Sequence, residues 1–144
     1  MAKSLRSVLP SPLRPIVSVH PDVVVKQGVE MMVQDNIGAL VVGDDENILG
    51  ILSERDVIRY VVHANKPPES TKISDVMCSD ITVLDVTVPV EVAMEAIINT
   101  RRRHLLVRED GEIIAILSIG DIVFSLLEDS NRTIDELEKY IHTY

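Results

Sequence analysis

Aromatic side chains are nearly absent from the chain, whose 144 residues include no Trp, one Phe and three Tyr. The core must therefore be aliphatic, and a surface that stacks nucleic-acid bases on aromatic rings is disfavoured. Cations are also outnumbered, with 14 Lys and Arg against 23 Asp and Glu and a net charge of −9. Because nucleic acids and anionic membranes both attract basic surfaces, we expect neither as a partner.

Cysteine and long apolar runs are scarce as well. Cys78 is alone, so no internal disulfide can form, and a reducing compartment fits. No apolar run approaches the length of a membrane span. The first 15 residues carry Lys3, Arg6 and Arg14 without an acid, as some organelle transit peptides do, but three prolines interrupt them. We therefore expect a cytoplasmic protein.

The sequence contains no pattern of catalytic or metal-ligating residues. His20, His63, His142 and Cys78 follow no metal-ligand spacing. No glycine-rich phosphate loop occurs, and no Ser-His-Asp or Cys-His arrangement is supported. We expect neither a metal site nor an enzyme.

A repeat organises the chain. The letters "ILSERD" at 51–56 return as "ILSIGD" at 116–121, and the same offset of 65 positions pairs Leu40 with Leu105. Each copy has a β-branched run, an amphipathic helical stripe, two strand-like runs across a polar turn, and an apolar helix after Ser-x-x-Asp. The predicted order is strand, helix, strand, strand, helix. Since one such unit leaves an apolar sheet face open, we expect the two copies to pack together.

Short helical turns are expected to lead into each copy, because residues such as Leu5 and Ile73 match at an offset of 68. In the last segment an apolar stripe predicts a separate helix with Thr133 as its N-cap. We predict one compact module with five segments: an N-terminal arm at 1–14, the first copy at 15–64, a linker at 65–72, the second copy at 73–128, and a C-terminal helix at 129–144.

The segments "NIGALVV" and "ILGILSERDVIR", with "RRRHLLV" and "EDGEIIAILSIGDIV", resemble the cystathionine-β-synthase (CBS) domain pair, or Bateman module. The resemblance is closest to small stand-alone pairs. It implies an α/β (α+β) fold of tandem β-α-β-β-α repeats with pseudo-two-fold symmetry, packed sheet to sheet, and a homodimer formed through helices. Three residues depart from the family pattern: Leu106 replaces a frequent proline, Ala115 a common glycine, and Arg102 an aliphatic residue.

In that family adenine nucleotides bind in clefts between the repeats. The resemblance implies that Asp56 and Asp121 hold ribose hydroxyls, that the first strand of each copy reads adenine, and that the run 101–104 holds phosphate. The nucleotide contacts it assigns are Val17, Ser18, Ile37, Gly38, Ser53, Arg55 and Asp56 in the first copy, and Ile81, Thr82, Val83, Arg101, Arg103, His104, Ser118, Ile119, Gly120 and Asp121 in the second.

These residue types suit a nucleotide. A carboxylate accepts both hydroxyls of a cis-diol, and a helix N-terminus beginning with a glycine suits an anion. The copies are unequal, since the first has Asn36-Ile37-Gly38-Ala39 where the second has Arg101-Arg102-Arg103-His104, and keeps only Arg55 nearby. We therefore predict the tighter grip on phosphate in the second copy.

The function expected is a non-catalytic sensor of AMP, ADP or ATP that regulates an unidentified protein through ligand-dependent geometry of its repeats or dimer. Three alternatives stay open at this point. The ligand could be NAD(H), with its adenosine half in one copy. The module could be purely structural, with both Ser-x-x-Asp motifs serving only as helix caps. A nucleotide hydrolase is the remaining class.

Overall fold

The computed structural model describes residues 3–143, apart from the side chains of 140, 142 and 143. The outer ends of the predicted arm and C-terminal helix, and the side chain of His142, lie outside that description. The chain divides into two compact units. The first-copy unit is Pro15–Thr82, and the second-copy unit combines residues 3–14 with 83–143.

The first-copy unit contains one three-stranded sheet. Its elements are β1 at Ser18–Val19, α1 at Val25–Asp35, β2 at Ala39–Gly43, β3 at Ile48–Ser53, and α2 at Glu54–Val57, which continues as a π-helical turn over Ile58–Val62. The sheet order is β1-β2-β3, with β1 parallel and β3 antiparallel to β2. At the β2–β3 turn the Asp44 carboxylate accepts hydrogen bonds from the main-chain N–H groups of Asn47 and Glu46, which lower the pKa of that carboxyl.

The second-copy unit repeats this arrangement, with its own three-stranded sheet in the same order and directions. The predicted "REDGE" turn is a tight one, in which Asp110 and Gly111 both have left-handed backbones. The elements are β4 at Val83–Asp85, α3 at Val90–Thr100, β5 at His104–Glu109, β6 at Glu112–Ser118, and α4 at Ile119–Thr143. The predicted order of strand, helix, strand, strand, helix is therefore confirmed in both copies.

Each unit has its own aliphatic core, as the composition predicts. Leu40 and Leu52 are fully buried in the first, and Leu105 and Leu117 take the corresponding places in the second. Even a local irregularity is repeated, because the strand register shifts after Val42 and again after its counterpart 65 positions on.

The two lead-in turns are exchanged between the copies. The 3-10 turn Leu5–Val8 lies in the core of the second-copy unit, while the turn Ile73–Asp75 lies in that of the first. Matching main-chain hydrogen bonds hold them, from Leu5 N to Val88 O at 3.0 Å and from Ile73 N to Val23 O at 2.9 Å. The N-terminal arm is thus built into the unit formed by the end of the chain.

The stretch 65–72 folds along the first-copy unit. Thr71 is buried, and its carbonyl accepts a hydrogen bond from Val25 N at 2.8 Å, at the start of α1. Lys26 N likewise donates to Pro68 O at 3.0 Å. These bonds satisfy two of the amides that the first turn of a helix leaves open.

Gly50 and Ala115 occupy equivalent positions, and the structure explains why their residue types differ. In the first-copy unit the main chain of Cys78 crosses β3 and exchanges two hydrogen bonds with Ile51, both at 2.9 Å. A Cβ on Gly50 would lie 2.6 Å from the Cys78 carbonyl oxygen. The counterpart of Cys78 at the lead-in offset is Pro10, whose nitrogen carries no hydrogen for such a bridge.

Helix α4 is one continuous helix of 25 residues, so the prediction of a separate helix capped by Thr133 is wrong. Thr133 lies inside the helix, and its hydroxyl donates to Asp129 O at 3.0 Å. No glycine or proline follows Gly120, and nothing else in the sequence ends the helix near residue 128. Lys3 fastens α4 to the arm through 2.7 Å bonds to Ser125 Oγ and Asp129 Oδ2.

Among residues 3–143, no helix combines the length and apolarity that crossing a bilayer requires.

Candidate ligand-binding site

In the second-copy unit the candidate site is the corner where β6 ends and α4 begins. Asp121 N donates to Ser118 Oγ at 3.1 Å, and Ser118 N donates to Asp121 Oδ2 at 2.9 Å. This reciprocal pair is a capping box with an aspartate in the place of the usual Glu. Both residues are only half-buried, so the cap leaves part of the carboxylate accessible.

Two amides at the start of α4 are already engaged. Ile119 N donates to Arg103 O at 2.8 Å, and Asp121 N is held by the cap. A Cβ on Gly120 would approach only Ser118 Oγ, at 3.5 Å, so the surrounding protein does not require glycine there. The residue keeps the helix start open to an approaching group.

Arg14 reaches this corner from the N-terminal arm, a contact that the sequence analysis missed. Its Nη2 donates to Asp121 Oδ1 at 2.9 Å. Burial raises the pKa of the Asp121 carboxyl, but the Ser118 amide and the Arg14 guanidinium outweigh it and leave the pKa below its usual range. Asp121 is therefore an anion with an internal counter-ion.

The predicted phosphate residues lie beside the same corner. His104 begins β5 and pairs directly with Ser118 across the ladder, while the carbonyl of Arg103 holds the start of α4. Arg101 ends α3 with a left-handed backbone at φ 58°. Arg101 and Arg103 are exposed, whereas Arg102, which departs from the family pattern, is half-buried. The structure thus pairs Arg14 with the Asp121 carboxylate and places the main chain of Arg103 and His104 at the same corner.

The first-copy corner has the same cap with different neighbours. Ser53 N donates to Asp56 Oδ2 at 2.9 Å, and Asp56 N donates to Ser53 Oγ at 3.3 Å. Glu54 N donates to Gly38 O at 3.0 Å, which repeats the bond between Ile119 and Arg103. The Glu54 carboxylate lies against Gly38, 3.3 Å from where its Cβ would be. Arg55 is the one cation that the sequence predicts at this corner, and Glu54, the preceding residue, adds a negative charge.

The predicted adenine-facing segments are placed alike in both units. Ser18 pairs with Val41 in the parallel ladder, and Val83 pairs with Leu106. Val17 O accepts a hydrogen bond from Val41 N at 3.1 Å, so this carbonyl already has one partner. The remaining predicted residues Ile37, Ile81 and Thr82 are half-buried, and Ile81 and Thr82 end the first-copy unit.

No group of three or more His, Cys, Asp or Glu side chains in the described part of the chain could hold a metal ion.

Comparison with known proteins identifies the family. The model of the CBS domain matches residues 5–63 and 73–128, and each match begins at a lead-in turn. The chain belongs to the CBS domain family, as its motifs predict. Its two units, each with one three-stranded sheet, form the tandem α/β fold of a CBS pair.

Among its relatives, the CBS domain-containing protein CBSX3, mitochondrial, of Arabidopsis thaliana is 34% identical over 125 residues, which are 83% of this chain and 61% of that protein. The chain therefore matches about three fifths of that relative's length. A CBS-domain containing protein from Agrobacterium tumefaciens aligns with a TM-score of 0.79 at 29% identity, covering 85% of this chain and 98% of that one. A protein with CBS domains from Burkholderia ambifaria gives 0.81 at 30% identity, covering 87% and 92%.

Proposed function

We propose that this CBS pair is a regulatory module that binds an adenine nucleotide, AMP, ADP or ATP, without turning it over. The second copy is the proposed main site. Asp121 would accept the ribose hydroxyls, and Arg103 and His104, with Arg101 nearby, would hold the phosphate. The first copy would bind an uncharged adenosine part or remain empty, because Glu54 adds negative charge there.

The observation that carries the proposal is the second-copy corner itself. A half-buried carboxylate, fixed by a capping box, is paired with Arg14, and the main chain of Arg103 holds the start of the same helix, in a protein of net charge −9. A capping box by itself needs no cations around it. Such a combination suits a ligand with both a diol and an anionic group, which is the chemistry of a nucleotide.

The response to the ligand would be a shift in population between conformations of the module or its dimer, set by the difference in affinity for them. A regulated protein would read that shift. The reducing compartment implied by a lone cysteine fits the cytoplasm as its location.

Ligand-dependent unfolding tests the proposal. Thermal denaturation of the purified chain is measured with AMP, ADP, ATP, NADH, S-adenosylmethionine and, as the control, inorganic phosphate. A ligand at a hundred times its dissociation constant stabilises by about 2.7 kcal/mol. We expect AMP, ADP or ATP to raise Tm and phosphate alone to have little effect. A response only to NADH would favour a dinucleotide, no response would favour a structural module, and loss of nucleotide over time would indicate an enzyme.

We further propose that a second copy of the chain covers α4. Along this helix a stripe repeats at alternating spacings of four and three, the pattern of a coiled-coil seam. Its apolar members are between 47% and 67% exposed, which leaves a helical face without cover within the described unit. The stripe consists of Val123, Leu127, Ser130, Ile134, Leu137 and Ile141.

Sedimentation velocity tests this dimer. The parent is expected to sediment as a dimer, and Leu137→Glu as a monomer, because the substitution places a charge in the seam. Glu136→Gln, one position outside the stripe, is the control and should remain dimeric. A dimeric Leu137→Glu variant would show that the chains associate through another face.

A further inference from the structure

Arg14 contributes to the second-copy corner from a segment whose counterpart in the first-copy unit is shorter and contains no Lys or Arg. The lead-in turns match at an offset of 68, but the strands that follow match at 65. The connection from the first lead-in turn to β1 is therefore three residues longer than the connection from the second lead-in turn to β4. Arg14 lies in this longer connection. The shorter connection at 78–82 contains Asp80 and no Lys or Arg.

The contact leaves much of the guanidinium available. The Arg14 side chain is 65% exposed, and its Nη2 donates to Asp121 Oδ1 at 2.9 Å. A guanidinium carries five N–H donors in a fixed plane, so it can hold a carboxylate and an anion together. Pro15 follows Arg14 and restricts its backbone, which lowers the entropy lost in placing it.

Charge explains what such a residue would do. The phosphate of a nucleotide is attached to the same sugar as the diol, so a ligand bound through Asp121 brings a second anion towards that carboxylate. Without a counter-ion the two negative charges repel each other, and the net charge of −9 adds to the repulsion. Arg14 neutralises Asp121 and offers further donors to the phosphate.

We propose that Arg14 determines the specificity of the second site, selecting phosphorylated adenosine over adenosine. This inference rests on the proposed function. It predicts that the benefit of Arg14 depends on the ligand's phosphate: Arg14 strengthens the binding of AMP and contributes little to the binding of adenosine.

Isothermal titration of the full chain with AMP and with adenosine tests the assignment. In Arg14→Gln we expect the Kd for AMP to rise about tenfold, the loss of one charge-assisted hydrogen bond, while that for adenosine changes less than about twofold. Arg14→Lys should recover part of the preference. The matched control is Arg6→Gln, which removes the same charge from the same arm, where Arg6 pairs with Glu109, and should leave both ligands unaffected.

The outcomes separate this inference from the proposed function. If Arg14→Gln weakens AMP and adenosine equally, or weakens neither, Arg14 sets no specificity although the site binds nucleotide. Titration of the Asp121 carboxyl by NMR checks the ion pair without any ligand, and its pKa should rise in Arg14→Gln. An unchanged pKa would overturn this inference but would leave the proposed function standing. If the parent binds neither ligand, the proposed function fails and the specificity assignment fails with it.

Discussion

The two copies share one order of strands and helices but differ in the charges at their corners. In each copy the main-chain N–H of the serine donates to Oδ2 of the aspartate at 2.9 Å. The main-chain N–H of the first helical residue donates to the carbonyl oxygen of the residue 16 positions earlier. Around this shared frame the first copy places Glu54 against Gly38, and the second places Arg14 on Asp121. Capping and aliphatic packing therefore specify the fold twice, while the charges beside the caps differ and give the two corners different chemistry.

The exchange of lead-in turns gives the largest expected effect. Leu5 and Ile73 are both fully buried, so Leu5→Ala and Ile73→Ala should each lower the free energy of unfolding by about 2–5 kcal/mol. Amide hydrogen exchange should show where protection is lost: in β5 and β6 for Leu5→Ala, and in β2 and β3 for Ile73→Ala. Unchanged protection of β5 and β6 in Leu5→Ala would show that the arm is not part of that core.

The two capping acids give the next effect. Asp121→Ala should weaken AMP binding at least about 100-fold, since it removes a charged acceptor for two hydroxyls, whereas Asp56→Ala should change it less than about threefold. Each variant also loses the reciprocal bond from the serine amide to the carboxylate, which costs about 1 kcal/mol, so stability should fall by a similar small amount in both. Titration calorimetry and urea denaturation measure the two effects. Equal losses of AMP affinity would contradict the unequal roles of the corners.

The pair Gly50 and Ala115 tests a backbone difference between the units. Gly50→Ala forces a Cβ against the Cys78 carbonyl and should lower stability by about 1–3 kcal/mol. Ala115→Gly meets no such obstacle and should cost only about 0.5–1 kcal/mol, the usual penalty of glycine in a strand. Urea denaturation of both variants gives the comparison. A smaller loss of stability for Gly50→Ala than for Ala115→Gly would mean that the main chain at Cys78 can move aside at little cost in free energy.

A pH dependence should give the smallest effect. The folded state lowers the pKa of Asp121, so its ionised form stabilises the fold. This contribution is complete above the pKa of the unfolded chain, near pH 4, and is lost as pH falls through the lower folded-state value. The stability difference between parent and Asp121→Asn should therefore shrink from pH 6 to pH 3. A difference that stays constant over this range would mean that the ionised form is not favoured by folding.

Local patterns explain what the sequence could predict. The Ser-x-x-Asp caps, the Asp110-Gly111 turn and the alternating strand runs act within a few residues, so their structures follow from neighbouring letters. Thr133 has the side chain of a cap residue but begins no helix, because no helix breaker precedes it and α4 continues through it.

Contacts between distant segments explain the rest. Arg14 lies 107 positions from Asp121, and no periodicity links them. The sequence does contain one indication of this segment: the repeat offset changes from 68 to 65, which shows that the connection containing Arg14 is three residues longer than its counterpart. The offset did not reveal that the arm packs with the second copy, because an exchange of lead-in turns and an unexchanged arrangement give the same repeat in the sequence.

The exchange also sets an order of events during synthesis. The first-copy unit is continuous in the chain and ends at Thr82, whereas the core of the second contains both Leu5 and Ile122. During synthesis the first-copy unit can therefore fold as soon as residue 82 has left the ribosome. The N-terminal arm, although it is synthesised first, can pack only after the last segments of the second-copy unit have been made. Proteolysis of ribosome-bound chains of increasing length should show protection of the first-copy unit well before residues 3–14 become resistant.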